Sequence, residues 1–267
     1  MAREVMRLMP GRPVLYIGDN VHVPYGERPL PEVRSFALGL TRRLIEDGAG
    51  VVVMACNMSS AIALESAREA YDDVPILGVI EPGSQAAVRA SGGAPIGVLA
   101  TTGTVRSGAY VDVIKRIDLS VDVYQQACPK FVPLVESGKA DSEEAEAAVM
   151  TCVAPLLDRG CRTIILGCTH YPFLMRAIRH AAGDGVAIID PAVETAKAVL
   201  EIVGTQQDAA GDVAGRFCAT GETEDFAELA EAFLGQKIEK IESLLWGRDL
   251  FCASEDVRTG GSAYAAS

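Results

Sequence analysis

Short apolar segments that alternate with helix-sized segments are the dominant pattern of this 267-residue chain. The apolar segments contain few charges and end at turn-forming residues, which is typical of parallel strands buried on both faces. We assign strands to residues 14–18, 51–55, 76–79, 96–100, 163–167, 187–189 and 216–220. We expect helices at residues 31–47, 59–70, 84–90, 142–157, 171–182, 193–203 and 224–234. The alternation predicts an α/β protein with doubly wound parallel sheets.

The charge balance excludes one group of functions. The chain carries 24 Lys and Arg against 36 Asp and Glu, a formal net charge of −12. Because phosphates are bound by clustered basic residues, we expect neither nucleic acid nor a membrane surface as a partner. The apolar runs, such as residues 51–55, are far shorter than the ~20 residues that span a bilayer. Since no secretory signal opens the sequence, we expect a cytoplasmic protein.

Two of the seven cysteines follow predicted strands and precede predicted helices. These are Cys56 and Cys168. An odd, widely spaced set of cysteines does not indicate a disulfide framework. No metal site is predicted, because the chain has only three histidines and no Cys-x-x-Cys pair. No cofactor is predicted either, since glycine-rich nucleotide-binding loops and an evident Schiff-base lysine are absent from the sequence.

The position of the two cysteines favours reactivity. Ligands of parallel α/β sheets bind at the carboxyl ends of the strands, and helix N-termini there favour thiolates and carboxylates. Asn57, Thr169 and His170 add hydrogen-bonding groups beside the two thiols. Two thiols that face one pocket can remove a proton from one side of a carbon and return it to the other. The spacing alone leaves open that both cysteines are buried fillers or a redox pair.

Five segments in a fixed order resemble one family, the glutamate racemases of the aspartate/glutamate racemase family. They are Gly18–Gly26, Ala55–Asn57, Gly97–Thr104, Cys128–Glu136 and Leu166–Pro172. The resemblance implies two α/β domains with a pseudo-twofold relation, an active site in the cleft between them, and a homodimer. It also implies cofactor-independent interconversion of L- and D-glutamate, which supplies D-glutamate for peptidoglycan, cell wall biogenesis and cell shape.

The resemblance also implies roles for individual residues. Cys56 and Cys168 match the two proton-transferring cysteines, and His170 matches a histidine that assists the second. Asp19 and Glu136 match acidic residues that support catalysis from outside the substrate contacts. Tyr25 and Gly26 match a loop that binds the side-chain carboxylate. The remaining substrate contacts are Asn57, Met58, Thr101, Thr104 and Thr169. Taken alone, the two carboxylates could be surface or capping groups, and Thr101 and Thr104 could be helix caps.

The domain boundaries follow from two predicted crossings, at Glu81-Pro82-Gly83 and Asp190-Pro191. We expect domain I to comprise residues 1–81 and 191–252, and domain II to comprise residues 82–190. A loose tail is predicted at residues 253–267, where the composition turns to Ala, Ser and Gly.

The sequence departs from the family in two places. The family begins with a strand that ends in Asp-Ser-Gly, whereas this sequence starts inside the helix that comes after it. Two explanations compete, a start site placed too late and a genuinely shortened chain. We favour the first, because loss of an interior strand leaves backbone groups unpaired, and we expect the 267-residue form to be weakly stable or weakly active. The second departure is Met58, where the family commonly has Thr, and the lost hydroxyl could be supplied by Ser59 or Ser60.

Two other functions compete with this interpretation. One is a racemase for aspartate or a hydantoin. The other is a truncated, non-catalytic relative that acts by binding a protein partner.

Overall fold

The computed structural model describes residues 1–204, 215–221, 226–227, 230–231, 234–235, 238 and 240–251. Its strands are Leu15–Gly18 (β1), Val52–Met54 (β2), Ile76–Gly78 (β3), Ile96–Ala100 (β4), Val123–Ala127 (β5), Thr163–Gly167 (β6), Ala187–Ile189 (β7), Arg216–Thr220 (β8) and Ile241–Leu244 (β9). Its α-helices are Ala2–Leu8 (α1), Leu30–Glu46 (α2), Asn57–Ala70 (α3), Ile80–Ser91 (α4), Thr102–Ser107 (α5), Ala109–Ile117 (α6), Phe131–Glu136 (α7), Glu143–Asp158 (α8), Met175–Ala182 (α9) and Pro191–Val203 (α10).

The strands between residues 96 and 189 form one parallel sheet with the strand order β5-β4-β6-β7. All residues of β4 and β6 are buried, as expected of interior strands with apolar side chains on both faces. Helices α7, α8 and α9 cover one face, and α4 and α6 cover the other. This sheet is therefore doubly wound, as predicted.

The other described strands form two separate parallel groups, β1-β8-β9 and β2-β3. Helix α2 packs against both β1 and β2, yet these two strands are not hydrogen-bonded to each other. A cavity of about 1890 Å³ includes the space between them, where Ile17, Leu40 and Val52 are among the lining residues. We call this space the sheet gap.

The predicted strands are all present, and the helix boundaries need two corrections. The helix predicted from residue 84 begins at Ile80, so the predicted crossing Glu81–Gly83 lies inside the first turn of α4. The helix predicted from Tyr171 starts as a 3-10 helix over Tyr171–Leu174 before α9. Most of the predicted helix at 224–234 and all of the tail at 253–267 lie outside the described residues.

The two predicted crossings between domains touch each other. A Cβ atom added to Gly83 would lie 2.8 Å from Cγ of Pro191, the first residue of α10. Asp190 caps α10 by accepting a hydrogen bond from the Ala192 N–H at 2.9 Å. This close contact is consistent with a paired crossing, and the domain limits remain a prediction. Among the described helices, we find none with the length and apolar character needed to cross a membrane.

Candidate active site

The residues predicted to act in catalysis converge at the carboxyl ends of the parallel strands. Asp19 follows β1, Cys56 follows β2 after one residue, and Cys168 follows β6. These three residues, together with Thr101 after β4 and Glu136 at the end of α7, line the same large cavity that includes the sheet gap. This is the edge at which ligands of open α/β sheets bind.

Cys56 is the N-cap residue of α3. Burial raises the pKa of its thiol, and negative charge on Cys168 raises it further. The backbone N–H and hydroxyl of Ser59 donate to the sulfur and oppose this shift. Ser60 is not available for the same task, because its hydroxyl donates to Met54 O at 2.8 Å and accepts from the Val79 N–H at 3.1 Å. Of the two candidate hydroxyls, Ser59 is therefore the one beside the first thiol.

Cys168 has different surroundings from Cys56. It precedes a four-residue 3-10 helix instead of an α-helix, so the predicted helix N-terminus is not directly behind this sulfur. Nδ1 of His170 lies 3.8 Å from its Sγ atom, and Nε2 of the same ring lies 2.5 Å from Oε1 of Glu136. Burial lowers the pKa of His170, but the contacts with Cys168 and Glu136 outweigh burial and raise it to about 10. His170 is therefore an imidazolium near neutral pH.

Tyr25 and Gly26 lie in a short 3-10 helix over Tyr25–Glu27. This helix contacts Thr101, the residue that follows β4. A Cβ atom on Gly26 would lie 2.8 Å from Cβ of Thr101, so only glycine allows this approach. The Tyr25 hydroxyl donates to Oδ2 of Asp19 at 2.6 Å. Burial and then the Asp19 charge raise the pKa of Tyr25, which keeps its hydroxyl a donor.

The two residues after Cys56 both contact the helices that follow β4. The side-chain oxygen of Asn57 accepts a hydrogen bond from the Tyr110 hydroxyl at 2.6 Å, and both residues are buried. The Met58 side chain is 2% exposed and packs against Gly103, where an added Cβ would lie 2.8 Å from its Cε. Met58 thus fills the contact between α3 and α5.

The three threonines predicted to bind substrate differ in their present roles. Thr101 caps α5 by accepting from the Thr104 N–H, and the two hydroxyl oxygens are 3.1 Å apart. Thr104 is buried, whereas Thr169 is exposed. All three line the cavity, so the capping role and the proposed substrate contact are compatible.

Comparison with known proteins places this arrangement in a family. A family model for the Asp/Glu/hydantoin racemases matches residues 1–199. The chain belongs to this family. Two curated relatives of this racemase are both named glutamate racemase. That of Desulforudis audaxviator is 40% identical over 250 residues, covering 90% of this chain and 91% of the relative. That of Acidothermus cellulolyticus is 40% identical over 248 residues, covering 91% and 94%.

Solved structures of similar racemases share the whole fold. A glutamate racemase isoform from Bacillus anthracis superposes with a TM-score of 0.83 at 33% identity, covering 91% of each chain. The glutamate racemase of Francisella tularensis, solved in complex with D-glutamate, gives a TM-score of 0.84 at 26% identity, covering 91% of this chain and 92% of that one.

Four residues that donate hydrogen bonds at the candidate site were not predicted from the sequence. Ser59 donates to Cys56, Tyr110 donates to Asn57, and Thr220 and Trp246 donate to Asp19. Thr220 did carry a usable signal, because it is the last residue of a predicted strand. Tyr110 and Trp246 carried none, since their partners are distant in sequence.

Proposed function

We propose that this protein interconverts L- and D-glutamate by proton transfer between two cysteines, and so supplies D-glutamate for peptidoglycan. The observation that carries the proposal is the placement of Cys56 and Cys168 in one cavity, with different hydrogen-bonding groups around each sulfur. A two-base racemase needs one thiolate and one thiol at the start of each turnover, and unequal surroundings supply them.

We assign the starting proton to Cys56. Its burial raises the thiol pKa, whereas Cys168 faces an imidazolium whose Nδ1 is 3.8 Å away. Cys168 as thiolate removes the α-proton of one enantiomer, and the Cys56 thiol donates its proton to the opposite side of the carbanion. The enantiomer that results is bound with the protonation of the two cysteines exchanged, so the reverse reaction uses the same groups in reverse order.

Glu136 keeps the histidine in its charged form. Its carboxylate pairs with Nε2 of His170 and leaves Nδ1 directed at the sulfur of Cys168. A fixed positive charge beside a sulfur that alternates between thiol and thiolate is electrostatic preorganisation, which stabilises charge without solvent rearrangement. Glu136 thus acts through His170 and not on the substrate.

The carboxylate groups of glutamate need donors, which the cavity supplies at two places. We assign the side-chain carboxylate to the backbone N–H groups of Tyr25 and Gly26. The amino acid end is assigned to Asn57 and Thr169, which follow the two cysteines, and to Thr101 and Thr104 at the start of α5. Met58 shapes this end through its backbone beside Cys56, since its side chain is packed on Gly103. We further propose that the protein works in the cytoplasm as a homodimer without a cofactor.

Proton exchange at the α-carbon tests the proposal directly. L-glutamate is incubated with the 267-residue protein in D₂O, and proton NMR follows the α-proton signal while chiral analysis follows D-glutamate. We expect loss of the α-proton signal together with formation of D-glutamate. Intact signal at high enzyme concentration would contradict the proposed function.

Variants of the cysteines provide the matched comparison. C56S and C168S should both lose racemisation by at least about a thousandfold, because an alcohol is a far weaker acid than a thiol. C161S is the control, since Cys161 is buried away from the cavity lining. Normal racemisation by either C56S or C168S would refute the two-cysteine mechanism. Analytical ultracentrifugation tests the homodimer.

A further inference from the structure

A buried carboxylate, Asp19 directly after β1, gathers donors from two distant parts of the chain. The Thr220 hydroxyl donates to Oδ1 of Asp19 at 2.7 Å, and the Trp246 indole N–H donates to the same oxygen at 2.8 Å. Thr220 is the last residue of β8, and Trp246 follows β9 after one residue. Both residues therefore belong to the strand group that also contains β1.

The other oxygen of Asp19 is occupied as well. Oδ2 accepts from the Tyr25 hydroxyl at 2.6 Å and lies 2.8 Å from Nδ1 of His22. A carboxylate has about four acceptor positions, and here four donors occupy them. The Asp19 side chain is 4% exposed, so only a small part of it faces the cavity that it borders. Asp19 is thus arranged to hold its neighbours and has no vacant position for a substrate proton.

The direction of the Thr220 hydrogen bond is set by a second contact. Its hydroxyl oxygen accepts from the Val21 backbone N–H at 3.1 Å, so the hydroxyl proton is directed to Asp19. Thr220 is completely buried, which leaves this hydroxyl no competing water. The contact links the end of β8 to the loop that leads from Asp19 to Tyr25.

Trp246 fixes the same loop through its ring. The indole lies edge-on to the His22 ring with centroids 5.2 Å apart, and His22 is stacked on Phe36 of α2 at 3.8 Å. Phe36 also lies 5.3 Å from the indole, so the three rings form one cluster. His22 is held between this cluster and Asp19, three residues before Tyr25.

We propose that Thr220 and Trp246 are positioning residues for glutamate binding. Acting through Asp19, they hold the Tyr25–Gly26 loop in place against Thr101. This inference rests on the proposed function, because it takes that loop to be the binding site of the substrate carboxylate. Neither residue touches the substrate, and neither takes part in proton transfer. Their effect is on how tightly the loop binds glutamate before and during the reaction.

Steady-state kinetics of T220V and W246F test this role. Valine keeps the shape of threonine, and phenylalanine keeps an aromatic ring, while each removes one donor to Asp19. We expect KM for L-glutamate to rise about tenfold with kcat within about threefold of the unaltered protein, the pattern of lost uniform binding. The matched control is T41V, which removes a buried hydroxyl bonded to Ala37 O in α2 and leaves Asp19 untouched.

A control for folding separates positioning from general damage. Thermal unfolding of T220V and T41V should shift by similar amounts, whereas only T220V should raise KM. If KM rises equally in T220V and T41V, or in neither T220V nor W246F, the positioning role is wrong.

The indole itself provides a readout that does not depend on a variant. Trp246 is the single tryptophan of the chain, so its indole N–H gives one assigned signal in a ¹H–¹⁵N spectrum. We expect this signal to shift as glutamate is added, and the shift to shrink in Y25F, which removes the Tyr25 bond to Asp19. An indole signal that is unchanged at saturating glutamate, in a protein that racemises, would overturn the inference. Absence of both binding and turnover in the unaltered protein would instead overturn the proposed function.

Discussion

The Tyr110 hydroxyl donates to the side-chain oxygen of Asn57 over 2.6 Å, and the two residues are separated by 53 positions in sequence. Tyr110 lies in α6, which packs on the sheet that contains β4 and β6, and Asn57 is the first residue of α3, directly after Cys56. With its oxygen occupied by Tyr110, Asn57 presents its amide N–H groups to other partners. A single hydrogen bond therefore orients the proposed substrate contact Asn57 and links α3 to α6 beside the proposed catalytic thiol.

Removal of this hydroxyl should weaken both stability and turnover. We expect Y110F to lower the free energy of unfolding by about 1–3 kcal/mol, because the Asn57 oxygen loses its buried donor. We also expect kcat/KM to fall by about tenfold, since Asn57 becomes free to rotate. Denaturant titration and racemisation kinetics measure the two effects. Y71F, which alters the tyrosine at the other end of α3, should leave kcat/KM unchanged.

The charge of Glu136 should set the upper pH limit of activity. The pKa of His170 is raised to about 10, so the imidazolium persists through neutral pH and is lost as pH rises through that value. In E136Q the amide oxygen still accepts from Nε2, but the negative charge is gone. The pKa of His170 should then fall by about 1 unit or more, and activity should decline at correspondingly lower pH.

The pH dependence of kcat/KM measures this shift, because it reports groups of the free enzyme. E144Q is the control, since Glu144 pairs with Lys139 at 3.9 Å on the surface of α8. A profile of E136Q that overlays that of E144Q would show that the Glu136 charge does not support His170 in the reaction.

The close approach of Gly26 to Thr101 predicts a strong effect of one methyl group. In G26A the new Cβ would lie 2.8 Å from the Thr101 Cβ, so the loop must move away from α5. We expect KM for glutamate to rise about tenfold or more, because the backbone donors of the loop leave their positions. In G185A the added methyl meets no atom within 4 Å, and KM should be unchanged. Equal KM values in the two variants would remove the loop from the binding site.

The sheet gap predicts uneven protection of backbone amides. Among the described strands, β4 and β6 are paired on both sides, whereas β1 and β2 are each paired on one side only. Hydrogen exchange should therefore be fastest at the β1 and β2 amides that point into the gap, and slowest in β4 and β6. Mass spectrometry of peptides that cover residues 15–18, 52–54, 96–100 and 163–167 measures this. Protection of β1 and β2 equal to that of β4 would show that the gap is closed in solution.

Strands with continuous apolar sequences were predictable, at sheet edges as well as inside, and strands that carry polar residues in their centre were not. β4 and β6 are continuous apolar runs because both faces are covered. β5, at the edge of its sheet, was missed because it carries the half-buried sequence Val-Tyr-Gln-Gln-Ala. β9, also an edge strand, was missed for the same reason, because Glu242 and Ser243 lie in its centre.

The candidate site was predictable where a functional residue stands directly behind a strand in the sequence. Cys56, Cys168 and Asp19 each come after a recognisable strand, so their positions could be inferred from local pattern. Trp246 could not, because 227 residues separate it from Asp19 and only the pairing of β8 with β9 brings the two together. His170 was expected from the family resemblance, but its pairing with Glu136 depends on the packing of α7 beside the turn after β6.

The sheet gap also determines how stiffly the two ends of the substrate site are held relative to each other. In an unbroken sheet, hydrogen bonds set neighbouring strands about 4.8 Å apart. Here the Asp19 loop is carried by one strand group and Cys56 by the other, and α2 is packed against both through side chains alone. Side-chain packing yields to load more readily than a ladder of hydrogen bonds. We therefore expect the distance between the Tyr25–Gly26 loop and Cys56 to vary more than the distance between Thr101 and Cys168. The second distance is set by the hydrogen-bonded pairing of β4 with β6.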